Sequence, residues 1–190
     1  MFIIKKNYYL YIDNTKSINL NILKYPHKYI VIYRNSFLNE DIKKIIFFRK
    51  KCFSKKIKFY IANHYNLAKK CKADGLYLSS YNKKIYHNIH VIGSAHNFKE
   101  INQKIKQRCK SILFSRLFKT IYKNKQDFIG VTKFNLISKN YTIELIPLGG
   151  IRNTNLLKLN LIKSRGIAIL SEIKKSRLLL TGFFNLKLLN

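Results

Sequence analysis

Short apolar runs alternate along this chain with segments in which apolar residues recur at helical spacing. Tyr8–Asp13 reads Tyr-Tyr-Leu-Tyr-Ile-Asp and closes on an Asp-Asn pair, the pattern of a strand ended by a turn. Tyr29–Asn35 is a second such run. Ser36–Cys52 follows with Ile42, Ile45, Ile46 and Arg49 spaced as on one helix face, and Asn39 is its expected N-cap. Ile57–Asn63 predicts a third strand, and Tyr65–Ala73 a short helix with Leu67, Ala68 and Cys71 on one side. Gly75–Ser80 and Val91–His96 predict the fourth and fifth strands. Asn97 then caps a helix that carries Glu100 at its third position. Ser111–Leu117 is the sixth strand, and a weaker helical pattern starts at Gly130, beyond a lysine-rich loop. The last two strands are Ile143–Ile151 (Ile-Glu-Leu-Ile-Pro-Leu-Gly-Gly-Ile) and Gly166–Ser171 (Gly-Ile-Ala-Ile-Leu-Ser), with a helix expected over Thr154–Arg165 between them. Ile173–Asn190 predicts a final helix.

Strands alternating with helices imply parallel βαβ units joined by right-handed crossovers. Eight units at roughly 20 residues each are close to the minimum for a (β/α)8 TIM barrel, and that is the expected fold. An open doubly wound sheet fits less well, because no Gly-x-Gly-x-x-Gly loop follows the first strand. No Pro/Gly-rich linker interrupts the chain, so residues 1–190 read as one domain.

In such a barrel the reacting groups sit at the carboxyl ends of the strands. Reading those positions in order finds Arg34 and Ser36, Asn63 and His64, Ser79, Ser80 and Asn82, Ser94 and His96, Lys119, Thr120 and Lys123, Gly149 and Gly150, then Leu170 and Ser171. Hydroxyls, amides and cations dominate, and carboxylates are few, which suits a phosphate better than a hard metal ion. The Gly149–Gly150 pair reads either as a plain tight turn or as bare backbone that approaches an anion. His96 is the best candidate for proton transfer, since an imidazole titrates near neutrality; a capping or loop role fits its position equally well.

Charge adds one inference. The chain carries 38 Lys plus Arg against 8 Asp plus Glu, a formal net charge of +30. The lysines are spread over nearly every segment, without the clustered stripe of a nucleic-acid-binding face, so a nucleic-acid partner is not expected. An anionic small molecule would still be drawn to such a surface. The three cysteines, Cys52, Cys71 and Cys109, are widely separated and read as buried thiols of a reducing compartment. No apolar run approaches a membrane span, so a cytoplasmic protein without a membrane partner is the expectation.

Four of these segments together resemble the thiamine phosphate synthase/TenI family of TIM barrels: Ile61–Ser80, Ile92–His96 (Ile-Gly-Ser-Ala-His), Leu113–Thr120 (Leu-Phe-Ser-Arg-Leu-Phe-Lys-Thr), and the Leu-Gly-Gly-Ile and Ile-Leu-Ser pair near the end. The resemblance covers roughly residues 57–173. It implies an enzyme of thiamine biosynthesis, a transferase that joins a pyrimidine methyl pyrophosphate to a thiazole phosphate with release of pyrophosphate. It would place the thiazole phosphate on Gly149, Gly150, Leu170 and Ser171, the pyrophosphate near Ser94, Thr120 and Lys123, and Asn63 beside the metal. Arg34 keeps one of the family's two basic residues after strand two, and the other falls on Ser36. Mg²⁺ is the implied cofactor, but its two aspartate positions fall on His64 and Asn82, poor substitutes for hard anionic oxygen. The TenI-type branch is similar but moves a proton within a thiazole phosphate without metal, using a histidine at the position of His96. A non-catalytic barrel that binds a phosphorylated ligand or nucleic acid is the third reading. Phosphorylated thiazole and pyrimidine molecules are the implied partners, and a homo-oligomer is compatible with all three.

Overall fold

Eight parallel strands close into a barrel in chain order, from β1 to β8, in a computed structural model that describes residues 5–37, 39–120 and 127–169. The strands are β1 Asn7–Ile12, β2 Tyr29–Tyr33, β3 Lys58–Ala62, β4 Gly75–Leu78, β5 Val91–Ala95, β6 Ser111–Ser115, β7 Glu144–Leu148 and β8 Gly166–Ile169. The ring is sealed by β1 against β8, with Tyr8 opposite Ile167 and Leu10 opposite Ile169. The expected TIM barrel is therefore the fold. Strands β2 to β7 end one to three residues before their apolar runs do, and β1 keeps its six-residue length one position earlier.

Four α-helices cover the outside, α1 Ile42–Ser54, α2 Tyr65–Lys70, α3 Phe98–Lys106 and α4 Val131–Lys139. Three expectations need correction. Helix α1 starts at Ile42, not near Ser36, and Asp41 is its cap, accepting from Lys43 N at 2.9 Å. Asn39 is engaged elsewhere: it accepts from Asn35 Nδ2, while Asn35 Oδ1 accepts from Phe37 N, so local side-chain bonds hold this stretch as a loop. Helix α2 ends at Lys70, with Cys71 as its C-cap. Between β7 and β8 the chain forms a 3-10 helix over Asn153–Leu161, not an α-helix over Thr154–Arg165. The region expected as a final helix, 173–190, lies outside the described residues.

The barrel interior is packed with tyrosine. Tyr9, Tyr11, Tyr60 and Tyr77 point inward with Ile30, Ile32, Ile92, Leu113 and Ile146. Such large rings fit because neighbouring strands supply small residues at the same depth. A Cβ on Gly166 would lie 2.9 Å from the Tyr9 ring, and one on Gly75 would run into the ring of Tyr60. The opposite faces of the strands pack under helices and loops; beneath α1, Phe59 sits between Tyr33 and Phe48 with ring centroids 6.3 Å and 5.7 Å away. Close-packed cores of this kind do not collapse around a deleted ring. Phe59→Ala is expected to cost about 3–5 kcal/mol, read as a lowered denaturant midpoint at unchanged m-value.

Candidate active site at the barrel mouth

The carboxyl ends of the strands bring most of the expected residues to one rim, on three structures that the chain builds locally. The first is a hydroxyl chain inside the mouth. Tyr11 Oη donates to Tyr77 Oη at 2.9 Å, and Tyr77 is in turn hydrogen-bonded to Ser94. All three side chains are buried. Burial pushes the Tyr77 phenol up, partly opposed by the bonds from Ser94 and Tyr11 and by the positive charge of Arg34. Tyr11 is pushed well up by the same burial. Both phenols therefore stay protonated at neutral pH. Three hydroxyl protons against two bonds within the chain leave one proton to donate beyond it.

The second structure is the glycine turn after β7. Gly149 and Gly150 have φ of 96° and 69°, a region that side chains disfavour. Their carbonyls are turned away from the mouth: Gly149 O accepts from Phe118 N at 3.1 Å, and Gly150 O from Asn155 Nδ2 at 2.8 Å. A Cβ on Gly150 would collide with the backbone of Phe118 and Lys119. The turn is thus pressed against the loop after β6, the loop that carries half-buried Thr120. Lys123, Leu170 and Ser171 lie outside the described residues.

The third is an amide network after β3 and β4. Asn63, at φ 61°, donates to Ser79 Oγ at 2.7 Å and Tyr81 Oη at 3.0 Å, and its oxygen accepts from Ser79 N and Asn82 Nδ2. Asn82 Oδ1 accepts from Lys84 N at 2.9 Å. Behind the loop, the carbonyls of Ser79 and Asn82 accept from Lys104 Nζ, each at 2.7 Å. These contacts decide whether the rim suits Mg²⁺. Both amide oxygens and two loop carbonyls are occupied by protein donors, and one of those donors is a cation. His64 is the N-cap residue of α2, and its imidazole is no hard anionic oxygen. No cluster of three or more His, Cys, Asp or Glu side chains suited to a metal occurs among the described residues. The residues do not fit a magnesium ion.

His96 stands at the rim, half-exposed, with Nδ1 3.0 Å from Glu100 Oε2; the same carboxylate accepts from His96 N at 2.7 Å. Burial would raise the Glu100 carboxyl, but its bonds from His96 and Asn97 outweigh that and hold it below its ordinary range. An ionised Glu100 orients the imidazole through Nδ1 and leaves Nε2 toward solvent. Capping and proton transfer, which were alternatives in the sequence, are thus compatible: one carboxylate serves both.

The cysteines are free and buried as expected, and burial pushes Cys52 up to about 12 and Cys109 to about 11, so neither is a thiolate at neutral pH. A cavity of about 410 Å³ lies away from the mouth, between α1 and α2, beside Ile46, Arg49, Phe53 and Cys71. Sequence reasoning missed Tyr11, Tyr77, Lys104 and Gln107. The first two read as ordinary strand aromatics. The one signal for Lys104 was its place three residues after Ile101, on the apolar face of α3.

With this geometry in view, likeness to known proteins becomes specific. The family model described as thiamine monophosphate synthase matches residues 21–173. The chain belongs to that family. A thiamine-phosphate synthase of Prochlorococcus marinus is 28% identical over 136 residues, which cover 68% of this chain and 38% of that protein. The chain therefore spans well under half the length of this relative. Thiamine phosphate pyrophosphorylase from Pyrococcus furiosus has the same fold, with a TM-score of 0.74 at 16% identity over 94% of this chain and 92% of that one. A 3-keto-L-gulonate-6-phosphate decarboxylase from Vibrio cholerae shares the barrel at a TM-score of 0.61 and 12% identity, covering 95% and 97% of the two chains. Membership in the thiamine monophosphate synthase family places the chain among proteins of thiamine biosynthesis, and no helix among the described residues is long and apolar enough to cross a membrane.

The buried amine at the rim sets a pH dependence. Burial lowers Lys104 from 10.5 to about 8. A base whose folded pKa is depressed contributes stability that is fully present above its unfolded pKa and lost as pH falls through its folded one. Wild-type stability minus that of Lys104→Met should therefore rise as pH increases from about 8 toward 10. Chemical denaturation of both proteins at each pH checks this, and the difference removes the opposing titration of the tyrosines.

Proposed function

We propose that the barrel binds a phosphorylated thiazole at its mouth and acts as a thiamine phosphate synthase-like transferase. In that reading it joins the thiazole phosphate to a pyrimidine methyl pyrophosphate and releases pyrophosphate. The observation that carries the reading is the Gly149–Gly150 turn. Its carbonyls accept from Phe118 N and Asn155 Nδ2, and at φ of 96° and 69° its two residues present backbone that no side chain covers. Bare backbone at the mouth of a strongly cationic chain suits a phosphate monoester. Thr120 borders the same turn, and the family resemblance assigns Leu170 and Ser171 to the same phosphate. Arg34 and Ser94, across the mouth, supply a cation and a hydroxyl for the pyrophosphate, and Lys123 would add a second cation there. A departing pyrophosphate would be stabilised by these donors.

The His96–Glu100 pair favours a second reading, a TenI-type isomerisation of a thiazole phosphate. There, Nε2 of a neutral His96 would take a proton from carbon and return it at another position, with no metal. The two reactions separate in one set of assays. Purified protein is incubated with thiazole phosphate alone, and with both substrates, in EDTA and in Mg²⁺. Thiamine phosphate formed only with both substrates supports coupling, whereas isomerised thiazole phosphate, lost in His96→Ala, supports the second reading. Formation of neither product would overturn both.

The phosphate turn has its own test. Gly150→Ala must force a Cβ toward Phe118 and Lys119 from a φ of 69°. We expect it to weaken thiazole phosphate binding at least tenfold by calorimetry and to cost about 1–3 kcal/mol of stability. Unchanged affinity would remove the turn from the phosphate site.

A further inference from the structure

The loop between β4 and β5, residues 79–90, contains no helix, although every parallel strand in such a barrel needs cover on its outer face. The loop itself lies down as cover. Tyr86 stacks on Tyr65 of α2 with ring centroids 5.1 Å apart. Laying irregular backbone against the barrel leaves its carbonyls without ladder or helix partners. Lys104 and Gln107, both fully buried, supply the missing donors. The three ammonium protons have three acceptors: Ser79 O and Asn82 O at 2.7 Å each, and Gln107 Oε1 at 2.9 Å. Gln107 Nε2 donates to Asn82 O at 3.0 Å and to Lys84 O at 2.6 Å. Gly93 makes room for this arrangement, since a Cβ there would lie 2.8 Å from Lys104 Cδ. The charged neighbours of the ammonium are Glu100, one turn earlier on α3, and, when ionised, Cys109.

On the far side of the same loop, Ser79, Tyr81 and Asn82 all bond Asn63 at the mouth. One staple therefore sets both loop and rim. We propose that Lys104, with Gln107, is a positioning cation of the barrel mouth: its ammonium holds the Ser79–Lys84 loop so that Asn63, Tyr81 and Asn82 present a preformed rim to a phosphorylated ligand without a divalent ion. A buried ammonium with all three protons matched to fixed oxygens is saturated, so it orders the loop and does not touch the ligand. The ligand half of this assignment rests on the phosphate-binding reading above; the loop half does not.

The test uses the whole chain, with thiamine phosphate as the probe. Without ligand, Lys104→Met should exchange the amide hydrogens of residues 79–84 at least tenfold faster, with β6 and α4 unchanged. Its melting temperature should fall, because methionine leaves the buried Ser79 and Asn82 carbonyls and Gln107 Oε1 without that donor. Thiamine phosphate affinity should fall at least tenfold in the variant. Wild-type affinity should agree within twofold in EDTA and in Mg²⁺. In wild type, the slowly exchanging 15Nζ signal of Lys104 should move on ligand addition, which a group serving only stability would not show. Unchanged loop exchange, unchanged affinity in Lys104→Met, or a tenfold gain from Mg²⁺ would overturn the proposal. If wild type binds no thiamine phosphate, the proposed function fails while the exchange experiment still decides the staple. Should Lys104→Met not fold, Gln107→Met removes two donors and one acceptor from the same loop and is read by the same criteria.

Discussion

A closed parallel barrel must be filled inside and covered outside at every strand, and the site here depends on how this chain meets both demands. Inside, four tyrosines from β1, β3 and β4 occupy the space that a ring of branched aliphatics fills more evenly. Two of them fit because a neighbouring strand has given up its side chain, Gly75 for Tyr60 and Gly166 for Tyr9. The same choice carries polar hydroxyls into a dry interior. Buried phenols stay bonded or cost free energy, so Tyr11 and Tyr77 are tied to each other and, through Ser94, to the mouth. Core packing and site chemistry are here one set of side chains.

Outside, the flank at β4 shows what happens when a covering helix is absent. An irregular loop has unpaired carbonyls, and water cannot reach those that face the barrel. The ammonium satisfies two of them and holds Gln107, whose amide reaches Asn82 O and Lys84 O. Burying that charge costs free energy, which is why the amine is held near 8. The cost is offset by the three hydrogen bonds of the ammonium, which fix the loop behind the rim. Carboxylates at the rim would repel one another without a cation to hold them. Amides at Asn63 and Asn82 can bond each other directly, at 3.2 Å.

The barrel was legible because its signal is repeated: eight apolar runs in order leave little room for another architecture, although each run alone was ambiguous. Boundaries were read less well where side chains compete with the backbone. Asn35 and Asn39 hold a loop that their spacing with Ile42 made look like a helix start, and the 3-10 segment at Asn153–Leu161 has the same apolar content that an α-helix would have. His96, Gly149 and Gly150 were found because rim positions follow from strand ends alone. Lys104 was hidden by composition: in a chain with 38 Lys plus Arg, a lysine carries little information until its burial is known.

That contrast bears on what the positive charge does. Most of the basic residues are exposed and scattered, so at physiological ionic strength they raise the local concentration of anions without selecting among them. Selection needs fixed donors, and in the proposed site those are neutral or internally compensated: a hydroxyl chain and an amide network braced from behind. Among the described residues, the ammonium groups with buried hydrogen bonds, Lys5 on Ile162 O and Lys104 on Ser79 O, Asn82 O and Gln107 Oε1, face the protein's own oxygens. Under the proposed function, discrimination between phosphate esters would reside in the neutral rim, while the surface lysines would govern the rate at which any anion arrives.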